Sequence, residues 1–141
     1  MGVAVFDANV FVHLYATGPR RHEAERTLSH YDPIAPDHVL VEFANVMRRL
    51  VRLDEMSADD ADEAVAALPG LVRTVPSPLL VPSAYQASGH VGHGVYDCLY
   101  LILAEAMGCP LVSEDHRFLN KARPFATVPL IEMADMPSEL P

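Results

Sequence analysis

The sequence predicts an α/β protein, a three-layer α/β/α arrangement around a central, mostly parallel sheet of four to five strands. Short apolar runs rich in Val, Leu and Ile alternate with longer stretches of helical periodicity along the chain. Strands separated by helices run parallel, and a parallel sheet is covered on both faces. No repeat or linker divides the chain, and 141 residues suffice for one core but not for two of usual size.

Each element follows from local pattern. GVAVF (2–6) reads as a buried strand, and VFVHLY continues as a helical turn after it. Residues 20–30 make a second helix, and DPIAP, bracketed by prolines, supplies a short strand. From Asp37 the apolar residues Val39, Phe43, Val46, Leu50 and Leu53 form one stripe at helical spacing. Ser57 followed by Asp60 resembles a capping box and opens a helix that Pro69-Gly70 closes. LVRTV (71–75) is a strand candidate. The segment PSPLLVPSAYQASGHVGHG, rich in Pro, Ser and Gly, holds at least a short helix and otherwise reads as loop. An apolar helix runs from about Val95 to Met107 and stops at Gly108; PLVSED, HRFLNKAR and TVPLIEM then read as strand, helix and strand.

Half of the residues are hydrophobic and 21% are charged, as in a compact globular chain. The longest apolar stretch, CLYLILAEAMG, falls short of the roughly 20 residues that span a bilayer. The N-terminus lacks a basic segment before its apolar run, and Phe6 stands where a myristoylation signal needs Ser or Thr. Cys98 and Cys109 form no C-x-x-C pair and no disulfide framework, so a reducing, cytoplasmic compartment is expected. The formal charge of -9 opposes a nucleic-acid partner, but residues 54–63 (DEMSADDADE) hold six of the nineteen acids. The remainder carries ten bases and thirteen acids, or -3, with the bases gathered at Arg20, Arg21 and Arg26, at Arg48, Arg49 and Arg52, and at Arg117, Lys121 and Arg123. Solvated helix faces account for any one such cluster more readily than a nucleic-acid contact does.

Four acids stand out. In an open parallel sheet, sites form at the carboxyl ends of the strands, where Asp7 and Asp115 fall. Either could instead cap the helix that follows, and Asn9 could cap, or orient Asp7 or a water. Glu42 lies on or beside the apolar stripe of its helix, and no cation stands three or four residues away, those positions being His38, Val39, Asn45 and Val46. Asp97 opens a helix that is apolar on nearly every side. A helix N-terminus offsets only about 0.3–1 kcal/mol, whereas an unpartnered buried carboxylate costs several or gives up its charge. One divalent cation shared among all four acids would compensate them together; hard oxygen ligands suit Mg²⁺ or Mn²⁺. The alternative gives each acid its own cap or ion pair.

VFDANVF, LVEFANVMRRL and GVYDCLYLILAEAMGCPLVSEDHRF, in that order, strongly resemble the PIN-domain family and, within it, the VapC toxins of prokaryotic toxin-antitoxin pairs, from Val3 to about Ile131. The resemblance implies a PIN-like fold forming a single domain over 1–134, with a short C-terminal tail over 135–141. It makes Asp7, Glu42, Asp97 and Asp115 the four catalytic acids, with Asp7, Asp97 and Asp115 holding Mg²⁺ (or Mn²⁺) and Asn9 and Ser113 in support. Glu42 would bind the metal through water or orient the nucleophile. Glu114 is an extra acid relative to the family, and His116 has no settled role. Also implied are metal-dependent hydrolysis of RNA phosphodiester bonds, a cognate VapB-type antitoxin that covers the acidic pocket, and a homodimer. With the four acids assigned to metal, the balance outside 54–63 moves from -3 to +1, and the charge objection dissolves.

Other classes fit less well. A phosphoacceptor receiver domain needs paired acids after the first strand and a late lysine, and a haloacid-dehalogenase-type phosphatase needs Asp two residues after the first, where Asn9 stands. A silent PIN binding module and a PIN nuclease of RNA processing remain the alternatives. His90 and His93 sit in a Gly-rich stretch without cysteine, a poor zinc site. Met47, Met56, Met107, Met133 and Met136 read as core or tail filler. Tyr96 and Tyr100 suit either helix packing or base stacking, and Arg49, one helical face from Glu42, suits either an RNA phosphate or plain surface. The segment 76–94 is expected, as an irregular loop leading into Asp97, to set substrate specificity.

Overall fold

The computed structural model of the chain describes residues 2–136. Five strands, β1 (Gly2–Phe6), β2 (Tyr31–Pro36), β3 (Arg73–Val75), β4 (Leu111–Val112) and β5 (Leu130–Ile131), form one parallel sheet in the order β3-β2-β1-β4-β5. The helices are α1 (Ala8–Tyr15), α2 (Arg21–His30), α3 (Val39–Arg52), α4 (Ala58–Ala67), α5 (Val81–Val91), α6 (Val95–Met107) and α7 (His116–Ala122). The chain steps outward from β1 to β3, then crosses to the other side of β1 for β4 and β5. With right-handed crossovers, this puts α1–α4 on one face and α5–α7 on the other. The strand order reverses between β1 and β4, and that is where open α/β sheets build sites. Of the tail expected over 135–141, only Asp135 and Met136 are among the described residues. No helix among them is long and apolar enough to cross a membrane.

The core centres on β1 and α6. Ala4, Val5 and Phe6 are fully buried, and α6 buries Cys98, Leu99, Tyr100, Leu101, Leu103 and Ala104, so it is enclosed on nearly every side. On α3 the buried stripe is Val39, Phe43 and Met47; Val46 and Leu50 lie at its margin, and Leu53 is exposed beyond the helix end. Met47 is therefore core, as are Met133 and Met136, whereas Met107 is exposed. Ser57 Oγ accepts the Asp60 N–H at 3.1 Å and starts α4.

Three strands are shorter than their sequence patterns, each because a backbone donor turns to another acceptor. After Val112 the Glu114 N–H goes to Asn9 Oδ1 (3.0 Å) and the Asp115 N–H to Ser113 Oγ (3.1 Å), so PLVSED contributes only Leu111–Val112. The Leu71 and Val72 N–H groups return to Leu68 O and leave β3 only Arg73–Val75. Thr127 N–H bonds Glu105 Oε2 and Pro129 has no N–H, so β5 starts at Leu130. The segment 76–94 departs the other way. It is mostly ordered helix: Pro82 stands in the first turn of α5, and Gly92 at φ 71° ends it. Specificity therefore has no irregular loop of that length to reside in.

Two glycines respond oppositely to alanine. Gly108 closes α6 at φ 62°, where a Cβ is strained, and Gly108→Ala is expected to cost about 1 kcal/mol. Gly89, exposed inside α5 with open space around its Cβ position, is expected to gain about 0.4–1 kcal/mol on mutation to alanine. Urea-unfolding midpoints of the two variants check the opposite signs.

Candidate active site

Asp7 ends β1 at the cap position of α1, yet its side chain makes no capping bond. Its Oδ2 instead accepts from Ser113 Oγ at 2.8 Å across the β1–β4 gap. The residue is 5% exposed. Burial pushes its carboxyl up to about 7 against the pull of the Ser113 bond, and the charges of Asp97 and Glu42 push it further in the same direction. Ser113 is itself fully buried and saturated: its one O–H goes to Asp7, and its oxygen accepts the Asp115 N–H and, at 3.4 Å, Asn9 Nδ2. Asn9 thus caps nothing; it clamps the loop after β4 and orients Asp7 through Ser113.

Asp115 caps a helix and still faces the other acids. Its Oδ1 caps α7 by accepting the Phe118 N–H at 3.1 Å, while Oδ2 lies 3.9 Å from His93 Nε2. Asp97, in the first turn of α6, has Oδ2 2.6 Å from the same nitrogen. Burial raises the Asp97 carboxyl; His93 opposes that shift, and the charges of Asp115 and Glu42 reinforce it. Ligating atoms of His93, Asp97 and Asp115 all lie within 4.8 Å of one another.

Glu42 has both oxygens held. Tyr100 OH donates to Oε2 at 2.9 Å, and His38 Nε2 lies 3.2 Å from Oε1. The His38 ring is packed 4.7 Å from that of Tyr100. Burial and the neighbouring Asp7 and Glu42 charges push the Tyr100 phenol well above its ordinary value, so it serves as a donor at every accessible pH. Tyr100 is core and Tyr96 is 71% exposed, which separates two residues that the sequence treats alike.

The structure links the four acids in a chain at the carboxyl edge of the sheet: Asp97 and Glu42 act on Asp7, and Asp115 and Glu42 act on Asp97, while Asp7 and Glu42 lie outside the close group of His93, Asp97 and Asp115. It leaves Glu114 out. That side chain is 3% exposed and points away, accepting from Arg20 Nη2 at 2.5 Å and from the Met133 N–H at 2.5 Å. His116 is likewise engaged elsewhere, with Nδ1 2.9 Å from Glu132 Oε1. Sequence reasoning names His38 and His93 but misses them as partners of the acids. Each stands four residues before its acid, in His38-x-x-x-Glu42 and His93-x-x-x-Asp97, a helical spacing that pairs side chains. Histidine carries no formal charge at neutral pH, so the sequence shows the spacing without showing the pairing.

Beside Glu42 a cleft of about 830 Å³ runs between α3 and α4, lined mainly by apolar side chains, among them Val41, Met47, Val65 and Tyr96. Arg48, not Arg49, lines it. A hard divalent cation fits the donor set: four carboxylates repel one another around a partly dry edge, and among the described residues no Lys or Arg is paired with any of them.

Known proteins resemble this chain in sequence and in fold. Ribonuclease VapC1 of Mycobacterium tuberculosis is 38% identical over 85 residues, 59% of this chain and 62% of that protein's length. The identical match recurs in strains CDC 1551 and H37Rv. PAE2754 from Pyrobaculum aerophilum superposes with a TM-score of 0.73 at 17% identity, covering 94% of this chain and 90% of that one. VapBC2 from Rickettsia felis, bound to a DNA fragment from its promoter, gives a TM-score of 0.64 at 11% identity over 92% and 98% of the two chains. A toxin-antitoxin complex from Klebsiella pneumoniae gives 0.64 at 16% identity over 92% and 97%. These structural likenesses show the fold. The PIN-domain model matches residues 4–124, most of the chain, which therefore belongs to the PIN-domain family.

Proposed function

We propose that this chain is a divalent-metal-dependent endoribonuclease and the toxin of a VapBC-type pair, hydrolysing RNA phosphodiester bonds. The reading is carried by the convergence of Asp7, Glu42, Asp97 and Asp115 at the switch point of the sheet, with Asp7 buried there at the expense of its own ionisation. Its VapC1 relative is named a ribonuclease, which supports the choice of reaction.

Asp7, Asp97 and Asp115 would hold Mg²⁺, or Mn²⁺, and when bound the ion would neutralise phosphate charge and activate a water. The chain's own residues prepare for it. Ser113 fixes Asp7, and the α7 cap fixes Asp115 while leaving Oδ2 available. Tyr100 and His38 hold Glu42 where it can orient a water against the scissile phosphate. The apolar cleft beside Glu42 suits an amphipathic helix of a VapB-type antitoxin, whose basic side chain could reach the acids.

Purified protein incubated with total cellular RNA is expected to cut in Mg²⁺ or Mn²⁺ and not in EDTA, and Asp97→Asn should lower the rate by about a hundredfold or more. Wild-type protein that binds the ion yet leaves every RNA intact would overturn the nuclease reading.

A second expectation concerns stability. A carboxyl at about 7 when folded and 3.8 when unfolded is protonated only in the folded state between those values. Folding then takes up a proton, so the metal-free protein loses stability as pH rises from about 4 through 7. Asp7→Asn removes that loss and keeps an acceptor for Ser113. In EDTA it should exceed wild type by about 2–4 kcal/mol at pH 8 and match it near pH 4. Urea denaturation across this range, repeated with Mg²⁺ to stabilise the wild type alone, provides the check.

A further inference from the structure

We propose that His93 is a direct ligand of the cation at this site, giving it a mixed nitrogen and oxygen donor set that prefers Mn²⁺ or Co²⁺ to Mg²⁺. The proposal rests on the carboxylates being a cation site, and deepens that reading by naming the fourth donor and the selectivity that follows from it.

The fold holds His93 in place from three directions. It sits in the short junction between Gly92, which ends α5 in the left-handed region, and Gly94, the cap of α6. Lys121 Nζ donates to Gly92 O at 3.0 Å and ties that junction to α7. The imidazole packs on Phe118 of α7 with ring centres 5.0 Å apart and is only 16% exposed. The helix that backs the ring is thus the one capped by Asp115, so ring and carboxylate are anchored to the same element.

The ring presents Nε2 to the site, 2.6 Å from Asp97 Oδ2 and 3.9 Å from Asp115 Oδ2. Adjacent ligands on an octahedral ion with bonds of about 2.1 Å lie about 3.0 Å apart, a separation that these two distances bracket. Small side-chain adjustments would admit an ion. Without an ion Nε2 donates to Asp97 Oδ2; a cation would take the place of that proton, leaving the ring proton on Nδ1 and the Nε2 lone pair for metal. The other histidine at a site acid differs. His38 Nε2 is shared between Glu42 and the Tyr96 carbonyl, and its Nδ1 is buried without a partner, which makes it a support for Glu42.

An all-oxygen site suits Mg²⁺, whereas imidazole favours later first-row ions. Direct ligation therefore predicts a nitrogen signature and a selective loss on mutation. The experiment is pulsed electron paramagnetic resonance of the Mn²⁺-loaded wild type, of wild type labelled with ¹⁵N-histidine, and of His93→Gln. Calorimetric titration of each unlabelled protein with Mn²⁺ and Mg²⁺ accompanies it. The expected result is a ¹⁴N coupling that converts to ¹⁵N on labelling and vanishes in the variant. Mn²⁺ affinity should fall about tenfold or more, and Mg²⁺ affinity less than about threefold. The labelling arm uses wild type alone and stands even where the variant fails to fold. Mn²⁺ bound without nitrogen coupling, or coupling that survives in His93→Gln, overturns the proposal and leaves the carboxylate site standing. Wild type that binds neither ion overturns both.

Discussion

Repulsion among carboxylates at one edge of a parallel sheet is the constraint that the rest of this site answers to. Asp7, Glu42, Asp97 and Asp115 come from four separate elements, and each raises the electrostatic cost of ionising at least one other. Left alone, such a cluster would splay outward into water. Here each side chain is held through a defined oxygen: Asp7 by Ser113, Asp115 by the Phe118 N–H, Asp97 by His93, and Glu42 by Tyr100 and His38. Those bonds orient the acids without cancelling their charge. An oriented and still repelling set favours a small divalent ion over water because part of the organisation needed for binding is already in place.

The topology makes this possible. β1 and β4 are adjacent only because the chain reverses its direction of travel across the sheet, and that adjacency brings Ser113 beside Asp7 although 106 residues separate them. The loop after β4 is then fixed by contacts outside the acid cluster. Asn9 takes the Glu114 N–H, and the Glu114 carboxylate ties Arg20, after α1, to the backbone at Met133. Two neighbouring acids, Glu114 and Asp115, consequently face opposite ways. One holds the loop and the other faces the site.

The layered fold, its parallel strands and the four acids were legible because periodicity and unpaired charge are local properties of a sequence. Asp7 and Asp115 stood out at strand ends, and Glu42 and Asp97 stood out as charges among apolar helical neighbours. Strand ends were not legible. Leu111–Val112 is short because Asn9 and Ser113 capture the next two backbone donors, and Asn9 lies about a hundred residues away in sequence. The dual role of Asp115 was hidden for a related reason: a carboxylate has two oxygens, and sequence cannot assign them separately. His38 and His93 are a different case. Their spacing is local, but a residue that is neutral in the formal charge count does not announce itself as a partner for an acid until the geometry places its ring beside the carboxylate.

The chemistry of the supporting groups follows from the same repulsion. A lysine or arginine inside the cluster would compensate the acids permanently and leave no place for the proposed cation. Every ion pair that an arginine makes among the described residues goes instead to Glu23, Glu25, Glu114 or Glu132. The groups within the site are a serine, a tyrosine, two histidines and a backbone amide, which donate hydrogen bonds while leaving net negative charge behind. Arg20 shows how fine the separation is, since its guanidinium pairs with Glu114, the residue immediately before Asp115.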